Sequence, residues 1–186
     1  MVTDALANAN LLERIGHLSR TEENFGDLYP AQWAALRYLS QANRFSRTPK
    51  ALTRYLSTTR GTASQTLKAL DRKGYITRKP SARDQRAIDI ELTKKALTLL
   101  RKDPILHLVS MIETAIGDDG KHLRAHLSLI LESLIKANDG NRFGECQTCR
   151  HFLLSGGDKK KFPHFCALLK VGLSDKDSEK ICVEHV

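Results

Sequence analysis

Over residues 48–92 the spacing of the apolar residues changes from a helical period to a period of two, and the change falls on Gly74. Thr48 can cap a helix and Pro49 suits its first turn, after which Leu52, Tyr55 and Leu56 share one face. A turn at Ser57 and Thr58 leads into a second helix, in which Ala63, Leu67 and Leu70 form a narrow apolar stripe. Arg60, Thr62, Ser64, Gln65, Lys68 and Arg72 point away from that stripe, and Gly74 suits the left-handed residue that ends a helix. Two strands are then expected, 75–78 and 87–92, the second alternating Ile88, Ile90 and Leu92 with Ala87, Asp89 and Glu91. A basic loop containing Pro80 joins them. Helix, turn, helix and hairpin make a winged helix-turn-helix, and few other folds accommodate that order.

Charge agrees with the pattern. The chain of 186 residues has a net charge of +9, and residues 44–102 hold 16 Lys and Arg against 4 Asp and Glu, so the excess sits on the motif. A basic block laid over a helix-turn-helix is what neutralising DNA phosphates requires. In the second helix Arg60 and Gln65 are the candidates for reading guanine and adenine edges, with Thr62, Ser64 and Lys68 beside them; Arg44 and Arg47, just before the motif, are candidate phosphate contacts.

The residues of this stretch resemble the MarR family of bacterial transcriptional regulators. The resemblance rests on the Gln32-Trp33 helix, Ser64, Leu67-Lys68-Ala69-Leu70, Gly74-Tyr75-Ile76-Thr77-Arg78, Asp84-Gln85-Arg86 and Glu91-Leu92-Thr93, and it covers roughly the first 137 residues. It implies a homodimer on a pseudo-palindromic operator in double-stranded DNA, acting as a repressor. It also implies that Arg86 enters the minor groove at the wing tip with Asp84 orienting it, while Arg78, Lys79 and Arg83 meet the backbone.

Outside the motif, Pro30 opens a helix with Trp33, Leu36 and Leu39 on its buried face, where Trp33 is a core anchor. Leu11, Leu12, Ile15 and Leu18 recur at helical spacing; they serve either a dimer interface or an intramolecular core. Thr93 caps a helix after the wing, and Asp103-Pro104 is expected to break it. Leu108, Val109, Ile112, Leu123, Leu127, Ile130 and Leu134 continue the apolar stripe as a dimerisation region, and His122 and His126 there read as solvated.

The four cysteines all lie near the C-terminus, as Cys146-x2-Cys149-x16-Cys166-x15-Cys182, with His151, His164 and His185 close by. Four thiolates complete a tetrahedron, so zinc comes first and an iron–sulfur cluster second, with free thiols the remaining possibility. The second pair is not a Cys-x-x-Cys knuckle, and the flanking residues are too few for an independent core, so a metal would supply the stability.

The expected fold class is mainly α with a small β-hairpin wing. An N-terminal dimerisation helix (1–28) is followed by the winged helix-turn-helix (29–95), further dimerisation helices (96–137) and a Cys-rich metal-binding tail (138–186). No run of apolar residues is long enough for a membrane span and the N-terminus lacks a signal-like apolar segment, so a cytoplasmic protein is expected. No phosphate loop or catalytic triad argues for an enzyme; a thiol oxidoreductase using Cys146 and Cys149 would need a thioredoxin-like pattern that is missing. The alternative to a regulator is a protein that bridges DNA without regulated release. The operator and any small-molecule effector are not legible.

Overall fold

A computed structural model describes residues 3–21, 27–81, 87–138, 140, 142–154 and 162–186. Its head is built from α2 (Pro30–Gln41), α3 (Pro49–Tyr55), α4 (Arg60–Arg72), the hairpin β1 (Ile76–Pro80) and β2 (Ile88–Leu92), and α5 (Lys94–Leu100). Trp33, Leu36 and Leu39 of α2 are fully buried against Leu52, Leu67, Leu70, Ile76, Ile90 and Ala96, so every element of the motif contributes to one core. Trp33 is therefore the core anchor its spacing implied.

Local chemistry sets the boundaries. The Thr48 hydroxyl accepts from the Ala51 amide, with Pro49 in the first turn of α3, and the Thr59 hydroxyl accepts from the Thr62 amide to open α4. Gly74 has φ of +73°, a left-handed conformation that costs glycine least. Thr93 caps α5 through the Ala96 amide, and its hydroxyl donates to the Gly74 carbonyl at 2.8 Å, tying the end of the wing to the end of α4. The first wing strand runs from Ile76 to Pro80 rather than over 75–78. Lys79 and Pro80 belong to it because Lys79 faces Asp89 and pairs with Glu91 at 2.7 Å, while Pro80 closes the strand opposite Ile88, where a missing amide is tolerated.

The expected break falls at Asp103-Pro104, between α5 and α6 (Ile105–Ile116). The nearly buried Asp103 carboxylate accepts both from the Ile105 amide (2.9 Å) and from the Arg37 guanidinium, whose Nε and Nη2 approach its two oxygens at 2.8 and 2.5 Å. This fork fixes the start of α6 to α2. The helices α1 (Asp4–Thr21), α6 and α7 (Gly120–Ala137) bury nothing large: Leu11, Leu12, Ile15, Leu18, Met111, Ile130, Leu131 and Leu134 are exposed. Within one chain the N-terminal leucines therefore serve no intramolecular core.

The tail forms two small antiparallel sheets. β3 (Gly144–Glu145) pairs with β7 (Ile181–Cys182), and β4 (Phe152–Leu153), β5 (His164–Cys166) and β6 (Val171–Leu173) make the second; α8 (Asp175–Ser178) lies between β6 and β7. It packs against the head at residues 42–47. The Asn43 amide donates to the Ile181 carbonyl (2.9 Å), the Val183 amide to the Ser46 hydroxyl (2.9 Å), and Lys180 Nζ to the Ser40 carbonyl (2.5 Å). Phe143 meets Tyr38 and Tyr55 edge-on, at 6.0 and 5.1 Å between centroids.

Candidate nucleic-acid interface and the cysteine cavity

Helix α4 divides its residues by face. Ala63, Leu67 and Leu70 are buried under α2 and α3, whereas Arg60, Gly61, Thr62, Gln65 and Lys68 are exposed and Ser64 is half-buried. Thr62 is held close to the helix start, its hydroxyl 2.9 Å from that of Thr59. Arg60, Gln65 and Lys68 thus extend from one rigid surface whose register the core determines, the arrangement a helix needs to enter a DNA groove. Arg78 on β1 is half-buried. Arg83, Asp84 and Arg86 lie outside the described residues.

Arg44 and Arg47 are placed differently from their expected role on phosphate. The Arg44 guanidinium donates to the Gly172 carbonyl at 2.6 Å, lies 3.7 Å from Asp177, and sits over the rings of Phe45 and Phe162 at 4.6 and 5.0 Å. Arg47 Nε donates to the Ala42 carbonyl, and burial lowers its pKa. Both cations hold the connection between α2 and α3 and its seat on the tail.

The four thiols converge although their sequence positions do not. Cys146, Cys149, Cys166 and Cys182, all free of disulfides, line a single small cavity with Phe152, Leu168, Leu169 and Leu173. Strand pairing brings them together: Cys182 lies opposite Gly144 and Cys166 opposite Phe152, while the Cys149 amide turns back to the Cys146 carbonyl at 3.0 Å. Amides point at the sulfurs, from Glu184 to Cys182 Sγ (3.4 Å) and from Leu169 to Cys166 Sγ (3.5 Å). Cys146 and Cys182 share a hydrogen bond: donating in it, and burial, hold the Cys146 thiol above its ordinary pKa, while accepting from Cys146 draws that of Cys182 down to about 5.

Asn43 joins the two regions, and no sequence signal marked it. Fully buried, it accepts at Oδ1 from the Phe45 and Ser46 amides (3.0 and 2.9 Å) and donates from Nδ2 to Cys146 Sγ at 3.1 Å. Of the three histidines near the cysteines, only His151 lines the cavity. His164 Nε2 faces Asp175 at 3.1 Å, and His185 Nε2 faces Thr148 at 2.9 Å. Among the described residues, no three His, Cys, Asp or Glu side chains are gathered as ligands for one metal ion.

The MarR family model matches residues 27–87, from just before α2 to the residue that precedes β2. Over residues 27–87 the chain is similar to the MarR family. Solved structures share the fold around it. A MarR transcriptional regulator from Methanosarcina mazei Go1 is 19% identical with a TM-score of 0.59, covering 73% of this chain and 99% of its own. MepR of S. aureus in its DNA-binding conformation is 24% identical (TM-score 0.59; 68% and 98% covered). FabT of Streptococcus pneumoniae in complex with DNA is 24% identical (TM-score 0.56; 70% and 96%). These structures are matched almost whole, whereas the remainder of this chain has no counterpart in them. No curated protein matches the sequence. No helix among the described residues is long and apolar enough to cross a membrane.

Proposed function

We propose that the chain is a homodimeric, sequence-specific DNA-binding transcriptional regulator, acting as a repressor by covering a promoter. The observation that carries this reading is the exposed face of α4, where Arg60, Thr62, Gln65 and Lys68 project from a helix seated on the head core. Arg and Gln there can form bidentate bonds to guanine and adenine. Thr62, Ser64, Lys68 and Arg78 accompany them as positioning contacts, and Asp84 and Arg86 complete the site from the wing. The matched structures of MepR and FabT with DNA support the choice of partner. A second copy of the chain is the partner that covers the apolar faces of α1, α6 and α7, since leaving them in water is unfavourable. The tail completes the regulator as a brace or sensor on the head, holding a metal through its thiols.

Selection from a randomised duplex pool, followed by titration of selected and random duplexes at one salt concentration, tests the reading. A preference for the selected duplex that Arg60→Ala and Arg86→Ala both weaken is expected. Equal affinity for both duplexes would instead describe a protein that bridges DNA without sequence preference.

A further inference from the structure

We infer that Cys146, Cys149, Cys166 and Cys182 hold one zinc ion, and that this closed four-thiolate site makes the tail a brace on the head rather than a sensor. The second part rests on the DNA-binding reading above and deepens its account of the tail.

Three observations carry the assignment. First, four free thiols from separate segments, a Cys-x-x-Cys turn, β5 and β7, line one cavity whose other walls are mostly Phe and Leu. Sulfur donors suit zinc, whereas calcium and magnesium take oxygen. Second, the space has the size of one ion. Zinc binds each sulfur at about 2.3 Å, which sets neighbouring sulfurs about 3.8 Å apart in a tetrahedron. Cys146 and Cys182 are already in hydrogen-bond contact, and the cavity holds about 20 Å³. A cluster of several metal atoms would have to force those two sulfurs apart; a single ion would not. Third, N–H groups already point at three of the sulfurs, from Asn43 Nδ2 to Cys146, from the Leu169 amide to Cys166 and from the Glu184 amide to Cys182. Such donors orient metal-bound thiolates and offset their charge.

Among the described residues no three side chains stand as ligands around one point, so the ion has to draw the thiols inward. Cys149 and Cys166 are half-buried and can turn about their Cα–Cβ bonds towards the pair that already touches. On binding, each thiol releases its proton to solvent and each sulfur gives a lone pair to the zinc; no electron is transferred. Four protein ligands leave no position open for a small molecule, which is the property of a structural site. Binding energy then becomes folding energy of the tail. It reaches the head through Asn43, whose Nδ2 meets Cys146, whose backbone amide pairs with β7, and whose Oδ1 shapes the turn leading to α3. Arg44 adds the link to Gly172.

The test uses the full chain purified without oxygen from zinc-supplemented cells. One zinc per chain and no sulfide are expected. Iron with sulfide, or four reactive thiols and no retained metal, would overturn the assignment. Cys149→Ser and Cys166→Ser should each lose the zinc, whereas His151→Ala, at the remaining candidate ligand on the cavity wall, should keep it. Loss in His151→Ala with retention in either serine variant would overturn the ligand set. Cobalt(II) titrated into the chelator-stripped chain should saturate at one equivalent with the absorption of a tetrahedral all-thiolate ion. That spectrum reads the ligands without any substitution, so the assignment stays testable if a variant fails to fold; an octahedral spectrum would overturn it. Chelation should expose the tail to protease while residues 30–100 stay intact, and should weaken binding to the selected duplex about tenfold, within the ordinary range for coupled sites. A tail equally resistant without zinc, or equal DNA affinity in both states, would overturn the brace. Because zinc is counted without DNA, failure of the regulator reading leaves the ligand assignment to be decided on its own.

Discussion

The head and the tail solve the same problem, closing a small fold, by opposite means. In the head, more than a dozen apolar side chains from six elements pack into one core, and polar groups appear mainly as caps at its margins. In the tail the corresponding cluster contains Cys146, Cys182 and Leu173, with Phe45 borrowed from the head and Phe152 and Val171 packed around it. Apolar burial contributes roughly 25 cal/mol per Å², which suffices for the first region and falls short for the second. The tail is also held by its contacts with residues 42–47, and a metal on its thiols, as proposed above, would add to that stability. A region that depends on a ligand can respond to it, and a region that depends on its own core cannot.

The same chemical change in both regions gives the sharpest contrast. Leu67 and Leu173 are both almost completely buried. Leu67→Ala should lower the stability of the head by about 3–5 kcal/mol, because α2, α3 and the hairpin prevent collapse around the cavity. Leu173→Ala should cost less, about 2 kcal/mol, because the half-buried Phe152 and Val171 can move inward. Denaturant titrations of the full chain measure both; equal losses would mean that the tail is as rigidly packed as the head.

A second contrast separates the head from the helices that flank it. Leu131 and Leu134 on α7 are exposed, each about 57% accessible, so a charge there leaves the single chain intact and acts on whatever covers that face. Leu131→Glu should convert a dimer to monomers by sedimentation while thermal unfolding of the head changes by about 0.5 kcal/mol or less. A dimer unaffected by both Leu131→Glu and Leu134→Glu would assign α7 to another role. Loss of the dimer should also remove tight operator binding, since two half-sites are then no longer met together.

Within the head, recognition and stability should be separable. Gln65 is exposed and takes no part in the core, so Gln65→Ala should relax the preference at one base position by about 1–3 kcal/mol with unfolding unchanged. Measured against all four bases at each site, an unaltered preference would exclude Gln65 from base reading.

The head was legible because its signals are local. Capping threonines, Pro49, Gly74 and the shift of period each act within a few residues, and Asp103-Pro104 announced its own break. The tail was legible only as a set of cysteines. Its position depends on pairings across more than a hundred residues, such as Asn43 with Cys146 and Arg44 with Gly172, for which spacing contains no information. The same blindness sent Arg44 and Arg47 to phosphate: positive charge next to a DNA-binding motif looks identical whether it faces solvent or a neighbouring carbonyl. The exposed leucines of α1 showed their periodicity in sequence, but only the fold showed that nothing in one chain covers them.

The smallest effect distinguishes the two regions by pH. Tyr75 is buried at the end of α4, and its hydroxyl donates to Asp27 at 2.8 Å. Burial first, and then the bond to Asp27 and its charge, push its pKa up from 10.0 to about 12. The folded head therefore favours the neutral hydroxyl. That contribution is fully present below pH 10 and is lost as pH rises from 10 to about 12. A tail closed by metal-bound thiolates, as proposed above, would fail at the other end, because protons compete with a metal for sulfur as pH falls. Tyr75→Phe should cost about 1 kcal/mol at neutral pH, the ordinary net worth of one hydrogen bond. Asp27 is exposed and can turn to water, so no buried charge is left behind. In denaturant titrations the difference between Tyr75→Phe and the unaltered chain should shrink between pH 9 and pH 12. A difference that stays constant over that range would mean that the Tyr75 hydroxyl contributes nothing that depends on its proton.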